Sequence, residues 1–156
     1  MVNSVHLALA LLWAHEPALL DTVALSLAVS VSASVAAAVV GLPLGTALAI
    51  FEFRGRSILI LIANALLGLP PVVVGLVLYL LLSRSGPFGG IGILFTPIAM
   101  TAAQFLLALP IVVALSHRAM TVVWQEYGDQ LLVDGIRRLQ AIPHVLTIGR
   151  LGALTA

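Results

Sequence analysis

The sequence predicts an all-α, polytopic transmembrane helical protein. It should have three membrane spans, an interfacial helix at the N-terminus and a short amphipathic helix on the cytoplasmic side. Three observations carry this prediction. Of the 156 residues, 62% are hydrophobic and 8% charged, where a soluble domain has about 45–50% and about 25%; the mean hydropathy is +1.20. Three runs carry no charge, 23–50, 58–82 and 91–115, and each reaches the roughly 20 residues needed to cross a bilayer core. Small residues also recur along the first run at helical spacing, the pattern by which helices pack in lipid.

Met1 to Trp13 is apolar apart from Asn3, Ser4 and His6, and is too short to span about 30 Å at about 1.5 Å per residue. Residues 1–16 therefore read as an interfacial segment, with Trp13 at headgroup level. No basic region precedes the apolar run, so a cleaved signal peptide is not expected. His15-Glu16-Pro17 breaks the segment, and Asp21 or Thr22 can cap the next helix. Val23 to Ile50 is the first span. Two rows of small residues run along it, Ser26, Ser30, Ser34 and Ala38, and Ala33, Ala37, Gly41 and Gly45. Such rows let backbones approach closely; plain structural packing and a sliding interface both account for them. Pro43 should kink the last turns.

Phe51 to Ser57 is a short charged loop with Arg54 and Arg56. The second span, 58–82, contains the stretch NALLGLPPVVVGLVLY from Asn64 to Tyr79. In water Pro70 and Pro71 would end a helix, because proline lacks an N–H and clashes with the previous turn. In a membrane such breaks are tolerated where neighbours satisfy the freed carbonyls. At helical spacing Asn64, Gly68, Pro71, Gly75 and Tyr79 fall near one face. That small, slightly polar stripe faces protein or a pathway; an ordinary kinked packing helix accounts for it equally. Ser83 to Gly90 is a turn rich in Gly, Ser and Pro. The third span, 91–115, is interrupted at Thr96-Pro97 and Pro110 and places Thr101, Gln104 and Ala108 on one face. His117-Arg118 closes it.

Arg54 and Arg56 follow the first span and Arg118, Arg137 and Arg138 the third, while only Arg84 lies on the other side. The positive-inside rule then puts the N-terminus outside and the segment after Leu115 in the cytoplasm. Met120 to Ala156 mixes Glu126, Asp129, Asp134, Arg137, Arg138 and Arg150 with aliphatic residues. Leu131, Leu132, Ile136, Leu139 and Ile142 follow helical spacing. They predict a short amphipathic helix with Gly135 inside it, weakening it, and Pro143 at its end.

The residues exclude several chemistries. There is no cysteine, hence no disulfide or thiolate metal site. The four histidines are scattered without ligand-like spacing, so no metal or other cofactor is expected. A net charge of +1 gives no argument for nucleic acid. No phosphate-cradling loop of Walker type is present, so ATP chemistry belongs to another subunit and the chain is not read as an enzyme. The polar residues at membrane depth, Asn64, Thr96, Thr101, Gln104 and the serine row, include no ionisable group. A proton-driven pump usually needs one. Asn64 and Gln104 fit an uncharged pathway or simple hydrogen bonding between helices.

Asp129 to Ile148, DQLLVDGIRRLQAIPHVLTI, resembles the cytoplasmic coupling loop of binding-protein-dependent ABC importer permeases. Asp129 stands at that loop's acid, Gly135 at its glycine, and Ile142 and Val145 at apolar positions. Gln130 and Leu131 replace two alanines of the pattern, Thr147-Ile148 replaces its final Leu-Pro, and Pro143 is unusual. GLPPVVVGLVLYLLLSRSGP followed by LFTPIAMTAAQFLLALPIV is similar to tungstate-type permeases, whose relatives carry molybdate and sulfate. The resemblance runs from about Pro17 to Arg150.

It implies a single permease domain over 1–156, in the inner or plasma membrane of a prokaryote, with 119–150 as the coupling loop. The partners it implies are a cytoplasmic ATP-binding subunit, an extracytoplasmic solute-binding protein, a second permease subunit as a homodimer, and the lipid bilayer. Asp129, Asp134, Gly135, Arg137, Arg138, Leu139, Ile142 and Val145 would couple to the ATPase. Asn64, Gly68, Pro70, Pro71, Gly75, Thr101 and Gln104 would line a pathway or pack helices. The solute would be an oxyanion, tungstate first, with molybdate or sulfate as alternatives; a non-transporting membrane scaffold and an uncoupled channel are the rivals. Family members continue with further spans after the coupling loop. The expectation is therefore a truncated subunit that packs loosely and does not transport alone.

Overall fold

The computed structural model describes residues 17–155. The expected interfacial segment 1–16 lies outside them. The elements are α1 (Pro17–Ile50), α2 (Arg56–Leu66), α3 (Pro71–Leu82), a 3-10 turn (Gly89–Ile91), α4 (Pro97–Val133) and α5 (Arg138–Thr155).

α1 holds 34 residues and is already helical at Pro17, so Asp21 and Thr22 lie inside it and cap nothing. It also runs through Pro43 without a break. The proline removes only the bond to the Val39 carbonyl, and the flanking turns are held by packing. That packing uses one of the two small-residue rows. Ala33, Ala37, Gly41 and Gly45 are buried, while Ser26, Ser30 and Ser34 stay exposed. The exposed Ser26 hydroxyl turns back on its own helix, donating to the Thr22 carbonyl at 2.8 Å.

The partner of the buried row is α4. A Cβ on Gly41 would stand 2.8 Å from Val112 Cγ1. One on Gly45 would meet the Ser116 hydroxyl and stand 2.6 Å from the Val113 carbonyl oxygen. Ser116 Oγ, itself buried, donates to the Gly41 carbonyl at 3.3 Å. Residue numbers rise together along this seam, Gly41 with Val112 and Gly45 with Ser116, so α1 and α4 run parallel.

The second expected span, 58–82, is not one helix. α2 and α3 are separated by a short break and bent by 104°. Pro71 occupies the first turn of α3 and Pro70 precedes it in extended conformation. The N–H groups of Leu67, Gly68 and Leu69 each donate to the carbonyl three residues back, at 3.2–3.3 Å, the tightened ending of a helix that has lost its next donors. The proline pair therefore starts a new helix instead of kinking an old one. The single stripe expected from Asn64 to Tyr79 is divided: Asn64 lies on α2, Gly68 and Pro70 in the connection, and Pro71, Gly75 and Tyr79 on α3.

The third expected span, 91–115, is shifted. Thr96 is extended, α4 opens at Pro97, passes Pro110 and continues for 37 residues to Val133. Such a helix is about 55 Å long against a hydrocarbon core of about 30 Å, so it exceeds that thickness by roughly 17 residues. By length and composition α1 and α4 can each cross a membrane, giving 2 spans, or 3 if the bent pair counts as one.

The structure also corrects the segment that follows the third expected span. Gly135 is not inside a helix; it has φ +81° and forms the turn between α4 and α5. Its N–H donates to Leu132 O at 3.1 Å and the Ile136 N–H donates to Leu131 O at 3.0 Å, the pair of bonds that defines a Schellman ending. Leu131 and Ile136, which flank it, pack on one apolar cluster. α5 then begins at Arg138, where Gln140 Oε1 accepts from the Arg137 N–H at 3.2 Å, as in a capping box. Pro143 lies inside α5 and does not end it. It forfeits only the bond to the Leu139 carbonyl, while Ala141 and Val145 on either side are fully buried.

Two small cores result. The lower one joins Ala49 and Ile50 of α1, Met120 of α4, and Ala141 and Val145 of α5. The upper one joins Ala63 of α2 to Val113 and Ala114 of α4, with Leu48 and Leu109 packed against it.

Candidate functional site

The turn between α4 and α5 presents an apolar rim around a rigid corner. Val133 is 86% exposed and Leu139 71% exposed. Asp129, Asp134, Gly135, Arg137 and Arg138 are exposed as well. Ile142 is half-buried against the lower core, and Val145 is wholly inside it. Of the eight residues expected to meet a partner, six therefore stand at the surface of the corner, and Ile142 and Val145 brace it from behind. Val133 did not stand out in the sequence, because its exposure follows from where the helix stops. A Cβ at Gly135 would meet nothing within 4 Å, so space is not what fixes glycine there; the left-handed backbone is.

The residues expected to line a pathway are not gathered. Gly75 lies with Tyr79, Phe95 and Met100 along one shallow groove of about 300 Å³. Thr101 lies with Ala36, Val40 and Phe105 in another, and its hydroxyl donates to Pro97 O at 2.9 Å within its own helix. Gln104 is exposed. The inside of the α2–α3 elbow is an apolar groove of about 320 Å³ against Leu106, Leu107 and Pro110 of α4.

Asn64 does something different. Its Oδ1 accepts from the Arg118 guanidinium at 2.7 Å, and its Nδ2 donates to the Ile60 carbonyl at 2.7 Å. It thus ties α2 to α4 across 54 positions of sequence. Nearby, Arg56 Nε donates to Leu48 O at 2.7 Å, tying the start of α2 to the end of α1. His117, next to Arg118 in the chain, has its Nε2 buried with no hydrogen-bond partner. Both guanidinium charges act on its ring. Sequence spacing gave no sign of these two ties. The Asn64 tie requires α2 to lie back against α4, where Ala63 packs on Val113 and Ala114. Among the described residues no group of His, Cys, Asp and Glu side chains could hold a metal ion.

No protein-family model and no solved structure matches the chain. Curated relatives do. A probable anion ABC transporter permease protein of Haloferax volcanii is 40% identical over 116 residues, 74% of this chain and 50% of the relative. The tungstate uptake system permease protein TupB of Peptoclostridium acidaminophilum is 38% identical over 110 residues, 70% of this chain and 48% of the relative. The protein of the same name from Campylobacter jejuni is 51% identical over 65 residues, 42% of this chain and 27% of the relative. The chain spans about half the length of the first of these relatives. On this similarity the chain belongs to the family of ABC-importer permease subunits.

Proposed function

We propose that this chain is the membrane-spanning part of an importer that passes an oxyanion, tungstate in the first instance, into the cytoplasm, driven by ATP hydrolysis on a separate subunit. The observation that carries the reading is the corner between α4 and α5. An apolar rim, Val133 and Leu139, surrounds a left-handed glycine on a turn backed by buried Ala141 and Val145. Rigid presentation of exposed aliphatic groups is what a groove on a partner needs, because little ordering remains to be done on binding. Asp129, Asp134, Arg137 and Arg138 form a polar rim, which sets orientation and partner choice more than affinity. The relatives named for anion and tungstate transport support the solute class.

In this reading the chain crosses the membrane three times, with the N-terminus outside and the corner in the cytoplasm. The parallel course of α1 and α4 supports it, since the chain leaves α1 at Ile50 and must return to the opposite end before α4 starts at Pro97. α2 and α3 are the return path. A solute-binding protein delivers from outside and a second permease subunit completes the pathway, in a prokaryotic cell membrane. The test is co-purification with the candidate ATPase subunit, comparing wild type with Leu139→Asp, followed by tungstate uptake. Retention by wild type and loss in the variant is expected. Retention by both overturns the docking role of the corner, and uptake of neither tungstate, molybdate nor sulfate by the assembled importer overturns the solute class.

A further inference from the structure

We propose that the groove between α1, α2 and α4 holds an anionic phospholipid, with an acyl tail along the groove and the phosphate on Arg56. The groove encloses about 430 Å³, and its walls include Leu44 and Leu48 of α1, Leu59 and Leu66 of α2, and Leu106 and Val113 of α4. No polar side chain lines it. Arg56 stands at its mouth. Its Nε donates at 2.7 Å to the carbonyl of Leu48, a wall residue. On α2, Arg56 shares one face at helical spacing with Leu59, Ala63 and Leu66, which also line the groove. A guanidinium has five N–H donors, and this bond uses one. Among the described residues Arg56 has no carboxylate partner, and its remaining nitrogens are not sealed from the surface. The preceding loop carries Glu52 and Arg54, both exposed and of opposite sign, so the charge at the mouth is that of Arg56.

Mouth and groove follow the order of a lipid's own parts. The apolar span of α1 ends at Ile50, so the tie to Leu48 holds the guanidinium near the end of that span. α1 and α4 run parallel, and the groove leads away from that end, toward Leu44 on one and Leu106 on the other. It does not stop there. Leu66, Leu106 and Pro110 also line the elbow groove, so the two grooves meet. The wall then passes from α2 to α3, which is bent from it by 104°. An occupant of both must turn. An acyl tail bends at each methylene, whereas a helix curves only gently. Lipid tails are as apolar as leucine, so the groove alone selects no lipid. The head does, because the guanidinium fork matches phosphate oxygens and its charge favours a lipid of net negative charge.

The experiment uses the full chain in phosphatidylcholine nanodiscs. These carry a trace of either phosphatidylglycerol or phosphatidylcholine, each with the same photoreactive diazirine in mid-tail, and labelled residues are mapped by peptide mass spectrometry. Phosphatidylglycerol should label residues 59–66 and 106–113 about fivefold more than phosphatidylcholine, whose choline offsets the phosphate charge. Arg56→Gln should bring the two lipids level, and Arg56→Lys should keep most of the preference. Leu66→Trp, at an exposed position where the grooves meet, should cut labelling of both segments with Arg56 intact. Arg84→Gln, on the α3–α4 loop, should change nothing. Equal labelling by the two lipids in wild type overturns the proposal, since bulk lipid then merely bathes the groove. So does a groove that neither lipid labels, which is the result if another helix or a second copy of the chain covers it. The readout is lipid on this chain alone, so failure of ATPase docking or of uptake leaves the site standing.

Discussion

Replacing Gly45 with alanine puts a methyl group where α4 already has backbone. The new Cβ would stand 2.6 Å from the Val113 carbonyl oxygen and 2.9 Å from the His117 nitrogen, against an ordinary contact of at least 3.4 Å. Ser116 Oγ can rotate away, at the cost of its bond to Gly41 O. The two backbone atoms cannot, so the helices must separate by most of an ångström. Overpacking of this kind costs about 1–3 kcal/mol, offset by about 0.5–1 kcal/mol because alanine is the better helix former. The net loss is about 0–2.5 kcal/mol, whereas Gly75→Ala carries only the helix-propensity gain, so the two variants should differ by about 1–3 kcal/mol. Reversible unfolding by SDS in mixed micelles, followed by energy transfer between probes on α1 and α4, measures it. Gly75→Ala is the matched control, since a Cβ there meets nothing within 4 Å. If Gly45→Ala is as stable as Gly75→Ala, the parallel α1–α4 seam is not what holds these helices together.

The two small-residue rows of α1 should respond oppositely to bulk: Ala37→Leu, at a fully buried position, should destabilise by about 1–3 kcal/mol, and Ser34→Leu by less than about 0.5 kcal/mol, in the same SDS titration. At the corner, Gly135→Ala should cost about 1–2 kcal/mol because of its positive φ, with Gly135→Asn recovering part of the loss; equal stability of all three would remove the left-handed turn. Leu139→Asp should leave that titration unchanged, whereas Val145→Asp should abolish folding by putting a carboxylate in the lower core. Asn64→Ala should weaken the hold of α2 on α4 by about 1.5–3 kcal/mol, the usual worth of a bond to a charged group, read as faster hydrogen exchange along Arg56–Leu66.

Some of this architecture is legible in the residues themselves. The alanine-glycine row from Ala33 to Gly45 announces a close helix contact, because four-residue spacing keeps it on one face of α1 over its whole length. The neighbouring serine row has the same spacing and small size, and nothing local distinguishes it; only the position of α4 does. Pro70 and Pro71 announce a break. The angle of that break is set by where Pro71 restarts a helix, and with it went the expected stripe from Asn64 to Tyr79. At the corner, helical spacing from Leu131 to Ile142 suggested one helix through Gly135. The same residues, an apolar pair five apart around Asp134-Gly135, also spell a Schellman ending, in which Leu131 and Ile136 meet across the turn. Pro143 reads as a stop locally, and burial of Ala141 and Val145 overrides it. The Asn64–Arg118 bond had no signal at all, since it joins residues 54 apart through a bend.

The length of α4 has a mechanical consequence. It is continuous from Pro97 to Val133; Pro110 forfeits one bond of its ladder, to the Leu106 carbonyl, without ending the helix. A displacement applied to the corner is therefore not dissipated in loops; it is delivered as a tilt of one stiff lever. For a rod of about 55 Å, a tilt of about 10° about one end swings the other by roughly 10 Å. The seam at Gly41 and Gly45 lies part-way along that rod, and in the proposed importer it would be the fulcrum. A turn of such a lever there would have to break the Ser116 bond to the Gly41 carbonyl, which sets the resistance of the seam.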